Sequence, residues 1–167
     1  MDAKNVARKI NERVQALGRS YEPTLDEAVL GTIHVGQAIR AVLAPYDPEN
    51  DRFVFTGNGI RTEPNAISAI GLTLHELATN ATKYGALSHP GGTIEVSWAH
   101  VKDKFSRNSL EIEWIERGGP AIECPPESNG TGFDIARTLL GHSRGVLETE
   151  WEHDGLKARI LIPITNG

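Results

Sequence analysis

The sequence predicts an α/β two-layer sandwich, an antiparallel or mixed sheet of about five strands with helices packed on one face. Three observations predict it. Five short stretches alternate apolar and polar residues as half-buried strands do: 52–57, 93–101, 109–116, 145–151 and 157–164. The outward positions of those strands carry charge, which leaves only the other face for helices to cover. Finally, the remaining apolar residues recur at helical spacing, in two segments before the first strand and one after it.

In chain order, the first helical segment is NVARKINERVQALGRS, where Val6, Ile10, Val14 and Leu17 fall near one face. Its other side is charged, so the stripe must bury against this domain or against a partner helix, and a hairpin or dimer bundle is the expectation. A second helix is expected over TLDEAVLGTIHVGQAIRAVLAPY, with Thr24 as N-cap ahead of Asp26 and Glu27 and with Pro45 ending it. His34 lies inside that segment and reads as a packing or surface residue. The strand RFVFTG follows, then a long helix containing LTLHELATNATKYGALS (72–88), then the strands TIEVSWAHV and SLEIEWIE. After a glycine-rich segment come GVLETEW and KARILIPI, joined by the turn-like His153-Asp154-Gly155. Short connections between consecutive strands favour antiparallel pairing.

Composition removes several classes of function. A chain of 167 residues with 39% hydrophobic content suits one domain with an appended element. No apolar run approaches the roughly 20 residues of a membrane helix, and the first 20 residues hold no signal-peptide core, so a cytoplasmic location is expected. Cys124 is the single cysteine, which rules out an internal disulfide. A net charge of −5 without a basic block lacks the footprint of a nucleic-acid binder, so no nucleic-acid or membrane partner is expected from this segment.

Three features carry chemistry. His75-Glu76 opens like a zinc-protease H-E-x-x-H, but position 79 is Thr, so the imidazole pair does not exist. At 100° per residue, Ile67, Ile70, Leu74, Leu77, Ala78 and Ala81 fall within an arc of about 100°, while Glu76, Asn80 and Lys83 gather within about 60° on the opposite side. A solvated face would carry a similar row. A carboxylate, an amide oxygen and an ammonium in line also suit a magnesium polyphosphate, with Asn80 supplying a hard oxygen and Lys83 neutralising phosphate.

The second feature lies in SLEIEWIERGG, where Leu110, Ile112, Trp114 and Glu116 share one strand face, so an apolar run ends on an inward carboxylate. Glu116 either reaches solvent at the strand end or accepts from a buried donor such as the exocyclic amine of adenine. Gly118 and Gly119 let backbone approach a flat ring. The third feature is NGTGFDIARTLL, glycines leading into a helix whose free N–H groups suit an anion. A plain helix cap would look the same, and Asp134 suits a cap as well as it suits phosphate.

Taken in this order, these residues resemble the ATP-binding catalytic domain of sensor histidine kinases, in particular the HWE subgroup. That subgroup is named for a His in the N box, here His75 in HELATNATKYGALS, and for a W-x-E motif, here Trp114 and Glu116 in WIERGGP. The GTGF of 130–133 resembles the G2 box, while ERVQALGRSYEPTLDEAV and AVLAPYD resemble the segments linking the second dimerisation helix to the catalytic domain.

The resemblance implies a Bergerat ATP fold, with residues 1–22 a remnant of dimerisation helix and linker and 23–167 the catalytic domain. It implies ATP and Mg2+ as cofactors, Asn80 as magnesium ligand, Lys83 near the phosphates, and His75 and Tyr84 in the nucleotide site. Glu116 takes the adenine-reading place, Gly118 and Gly119 flank the ring, and Pro120 to Asn129 form a lid. Gly130, Thr131, Gly132 and Phe133 complete the ATP-binding set, with Gly130 and Gly132 on phosphate. His75 could equally make a supporting hydrogen bond.

Two departures stand out. Asp134 replaces a glycine of the usual G-F-G, and residues 1–33 contain no histidine, so the phosphoacceptor is expected on another helix, of a longer kinase or of a separate protein. The implied activity is transfer of the ATP γ-phosphoryl group to that histidine, and from there to a response regulator. A homodimer through a four-helix bundle is a further implied partner. Two other functions stay open: an ATP hydrolase using Glu76 as base, and a non-catalytic docking module.

Overall fold

The computed structural model describes residues 32–121 and 130–164. The expected helix over Val6–Leu17, the Thr24 cap and most of the expected lid lie outside the described residues.

The described chain runs β1 (Ile33–His34), α1 (Val35–Leu43), a 3-10 turn (Ala44–Tyr46), β2 (Phe53–Gly57) and β3 (Arg61–Thr62). It continues through α2 (Pro64–Tyr84), a second 3-10 turn (Ala86–Ser88), β4 (Thr93–Lys102) and β5 (Asn108–Arg117). The elements α3 (Gly130–His142), β6 (Val146–Glu152) and β7 (Gly155–Pro163) complete it. The main sheet has five strands in the order β2-β4-β5-β7-β6. Its β2–β4 pair is parallel, and the other pairs are antiparallel. The mixed two-layer sandwich expected from the alternation is therefore the observed architecture.

Register sets the inner face. Val96 lies opposite Trp114 and Trp98 opposite Ile112, while Trp114 and Ile112 lie opposite Ala158 and Ile160 of β7. All of these are buried, and they form a continuous apolar floor under the helices. Each large side chain so buried contributes roughly 1.5–3 kcal/mol. The alternate residues, Glu111, Glu113 and Arg159 among them, are on the other face, where the Arg159 guanidinium reaches Glu111.

Helix α2 is 21 residues long, with Pro64 at its first turn where a missing N–H costs nothing. The six residues of the expected apolar arc, from Ile67 to Ala81, are all buried. Burial nevertheless extends well beyond that arc, to Leu72, Thr73 and Glu76, because α1 and α3 both pack against α2.

One expectation is corrected. The helix drawn through 24–46 does not run unbroken, because Ile33 and His34 pair as strand with Thr62 and Arg61. Helix α1 begins only at Val35, and the His34 ring caps it by accepting from the amide of Gln37 at 3.3 Å. A mid-helix histidine thus becomes a helix start, which matches the capping physics of a side-chain acceptor at the N-cap.

Candidate functional site

The last turns of α2 carry the predicted polar row, and the structure divides it. Asn80 is half-buried, while Lys83 and Tyr84 are exposed, Tyr84 to 68%. Glu76 is not on this open face. It is 5% exposed, because a helix held between two neighbours buries more than the stripe facing the sheet. Among the described residues, no group of three or more His, Cys, Asp or Glu could hold a metal ion.

His75, one residue before Glu76, turns toward α1. The Tyr46 hydroxyl lies 2.6 Å from its Nδ1 and 3.3 Å from Thr79 Oγ1, with the two rings edge to face. His75 therefore ties the 3-10 turn after α1 to α2, the supporting hydrogen bond that its helical angle allowed.

Beyond Tyr84, the chain turns at Gly85, and the peptide of Ala86 becomes a node. Its N–H donates to Glu116 Oε1 at 2.9 Å, and the Trp114 indole N–H donates to Glu116 Oε2 at 3.0 Å. The Glu116 side chain is thus aimed inward as the strand alternation predicts, and it is 5% exposed. Burial pushes its pKa up, and the two N–H groups pull against that shift. The carbonyl of Ala86 accepts from the Arg52 guanidinium at 3.1 Å, which also donates to Gly92 O at 2.8 Å and His89 O at 2.5 Å. Arg52 thereby staples the whole 86–92 segment to the start of β2.

Glycines make the node compact. A Cβ on Gly85 would meet Glu116 Oε1 at 2.1 Å, one on Gly92 would meet Ala86 O at 1.9 Å, and one on Gly119 would meet Ala86 N at 2.9 Å. Gly118 has a φ of +73°, the left-handed region that favours glycine. So the small size of Gly118 and Gly119, read from sequence as room for a flat ring, already answers to the protein's own backbone.

Helix α3 packs against α2. Leu139 and His142 near its C-terminus share a cavity with Asn65, Ser68 and Ala69 near the start of α2. The glycines of Gly130–Gly132 lie inside the helix rather than ahead of it. Phe133 is 1% exposed and packs in the core. Asp134 is exposed. Sequence reasoning missed Tyr46, Arg52 and Ala86, and only Tyr46, the lone aromatic after the Pro45 stop, gave any signal.

The fold so described is that of histidine kinase catalytic domains. The histidine kinase domain of Erythrobacter litoralis EL346 superposes with a TM-score of 0.66, covering 92% of this chain and 72% of that one at 18% identity. The catalytic domain of the histidine kinase ThkA, in a nucleotide-free form, gives 0.62 over 80% of this chain and 95% of its own, at 20% identity.

Sequence carries the assignment further. The chain is 32% identical to Blue-light-activated histidine kinase 1 of Erythrobacter litoralis, over 98% of its own length and 45% of that protein. It is also 32% identical to the blue-light-activated histidine kinase of Brucella anthropi, over 93% of its own length and 31% of that one. No family model matches. The chain is a homologue of these blue-light-activated histidine kinases, and it spans less than half the length of the two.

Proposed function

We propose that this chain is the ATP-binding and phosphoryl-transferring domain of a two-component histidine kinase. The observation that carries the reading is the buried Glu116 carboxylate, hydrogen-bonded to the residue two positions beyond the Tyr84 end of α2, on whose last turns Asn80 and Lys83 stand.

In this reading the site has two ends. Glu116 accepts the amino group of adenine: a carboxylate offers about four acceptor positions, and two are used by Ala86 and Trp114. At the other end, the Asn80 amide oxygen holds magnesium and the Lys83 ammonium neutralises phosphate charge, with Tyr84 beside them. The free N–H groups at the start of α3 face the same phosphates with the positive end of a helix dipole. Bound magnesium supplies charge neutralisation of the β- and γ-phosphates. Phosphoryl transfer asks mainly for positioning and charge stabilisation, and these residues offer both without a protein nucleophile of their own. The nucleophilic histidine arrives on a separate helix, and a response regulator aspartate receives the group afterwards.

Glu76 is the residue that a hydrolase reading would need as base. At 5% exposure it is poorly disposed to activate water, and the kinase reading does not use it. Incubating the chain with ATP and magnesium, with and without an added histidine-bearing dimerisation helix, separates the two. The kinase reading expects label on the helix histidine, retained in Glu76→Gln unless that variant unfolds. Rapid phosphate release without the helix, abolished in a folded Glu76→Gln, would establish the hydrolase instead.

A further inference from the structure

Trp114 and Glu116 stand two residues apart on β5, so both point to the inner face of the sheet. The indole N–H reaches one carboxylate oxygen at 3.0 Å while the Ala86 amide holds the other at 2.9 Å. A carboxylate gripped at both oxygens cannot turn about its last bond, so its remaining lone pairs have a fixed direction. The indole is itself immobile: Trp114 is 1% exposed and packs edge to face against Phe53 at 5.7 Å. Among the large apolar side chains, only Trp joins a core-filling ring to an N–H donor with no acceptor. Phenylalanine would fill the space and leave Oε2 without a partner.

We propose that Trp114 is a positioning residue for purine selection, whose indole N–H, opposite the Ala86 amide, fixes the Glu116 carboxylate so that it accepts an amino group and repels a carbonyl at the purine 6-position. Adenine presents an amino donor there and guanine a carbonyl acceptor. A fixed anionic acceptor discriminates between them, whereas a carboxylate free to rotate can turn aside. The inference rests on the reading that Glu116 meets adenine.

The test replaces Trp114 with benzothienylalanine, a ring isostere that lacks the N–H, in the full chain. Magnesium-loaded non-hydrolysable ATP and GTP analogues are titrated against this variant, the wild type and Glu116→Ala. The wild type is expected to prefer the ATP analogue, Glu116→Ala to lose that preference, and the isostere to lower the ATP-to-GTP affinity ratio about tenfold. A merely structural role would weaken both nucleotides alike and leave the ratio unmoved. If Glu116→Ala loses the preference and the isostere keeps it, the proposal for Trp114 falls while the adenine reading stands. If Glu116→Ala keeps the preference, the adenine reading falls and the proposal with it. In the unsubstituted protein, the Trp114 indole proton resonance should shift on addition of the ATP analogue, and more than those of Trp98 and Trp151. An unmoved resonance in a saturated complex would overturn the proposal even if the isostere fails to fold.

Discussion

Gly85→Ala probes the Ala86 node most sharply. The new methyl carbon would lie 2.1 Å from Glu116 Oε1 and 3.1 Å from the Cα of Ala81. The Ala81 backbone is fixed within α2, so the carboxylate has to retreat by about 1 Å to restore van der Waals distance. That movement breaks its 2.9 Å hydrogen bond and leaves the Ala86 N–H buried without a partner, a cost of about 1–3 kcal/mol. Residual overpacking adds about 1–3 kcal/mol, so the expected loss is about 2–6 kcal/mol. Gly91→Ala is the control, because a Cβ there meets nothing within 4 Å, and its effect should stay within about 0.5 kcal/mol. Urea unfolding followed by tryptophan fluorescence measures both. Adding Glu116→Ala to Gly85→Ala removes the clashing oxygen, so the two substitutions should couple by about 1 kcal/mol or more. Equal stability of the two glycine variants, or strict additivity with Glu116→Ala, would refute the node as described.

Three further outcomes follow from the same geometry. Asn80→Ala should abolish magnesium-dependent binding of an ATP analogue while shifting the melting temperature by no more than a few degrees, since Asn80 is only half-buried and off the apolar arc. Tyr46→Phe should cost about 0.5–1.5 kcal/mol through the lost hydrogen bond to His75, with nucleotide affinity unchanged; a large affinity loss would return His75 to the nucleotide site. The pH dependence of stability should carry the sign of Glu116. Its folded-state pKa lies above the ordinary 4.5 because burial disfavours the charge, so its contribution is fully present below 4.5 and is lost as pH rises through the raised value. The unfolding free energy of the wild type minus that of Glu116→Gln should therefore fall with rising pH across that window, and a difference that rises would contradict the burial of the charge.

The fold was legible because the strands alternate cleanly. Trp98, Ile112 and Ala158 take inner positions by simple parity, and the six-residue arc of α2 predicted its sheet-facing side. What parity and helical angle do not contain is the neighbour on the flank. Glu76 sits opposite the apolar arc by arithmetic, yet it is buried, because the flanking helices α1 and α3 also cover α2. His34 likewise reads as mid-helix until Arg61 and Thr62, nearly thirty residues later, draw it into a strand pair. Of the site, the inward aim of Glu116 was predicted by its place after Leu110, Ile112 and Trp114. Its partners were not: the Ala86 amide lies thirty residues away, and the indole N–H two residues before it is mute in sequence about what it touches. Arg52 is the clearest omission. Its guanidinium meets three backbone carbonyls between Ala86 and Gly92, and backbone acceptors leave no residue-type signature.

Binding of magnesium-loaded ATP between the end of α2 and Glu116 is measured by isothermal titration of the folded chain with a non-hydrolysable ATP analogue. Saturable binding of one nucleotide per chain, dependent on magnesium, is the expected result. No binding heat from a chain with an intact circular dichroism spectrum, at temperatures on both sides of any enthalpy null, would contradict it.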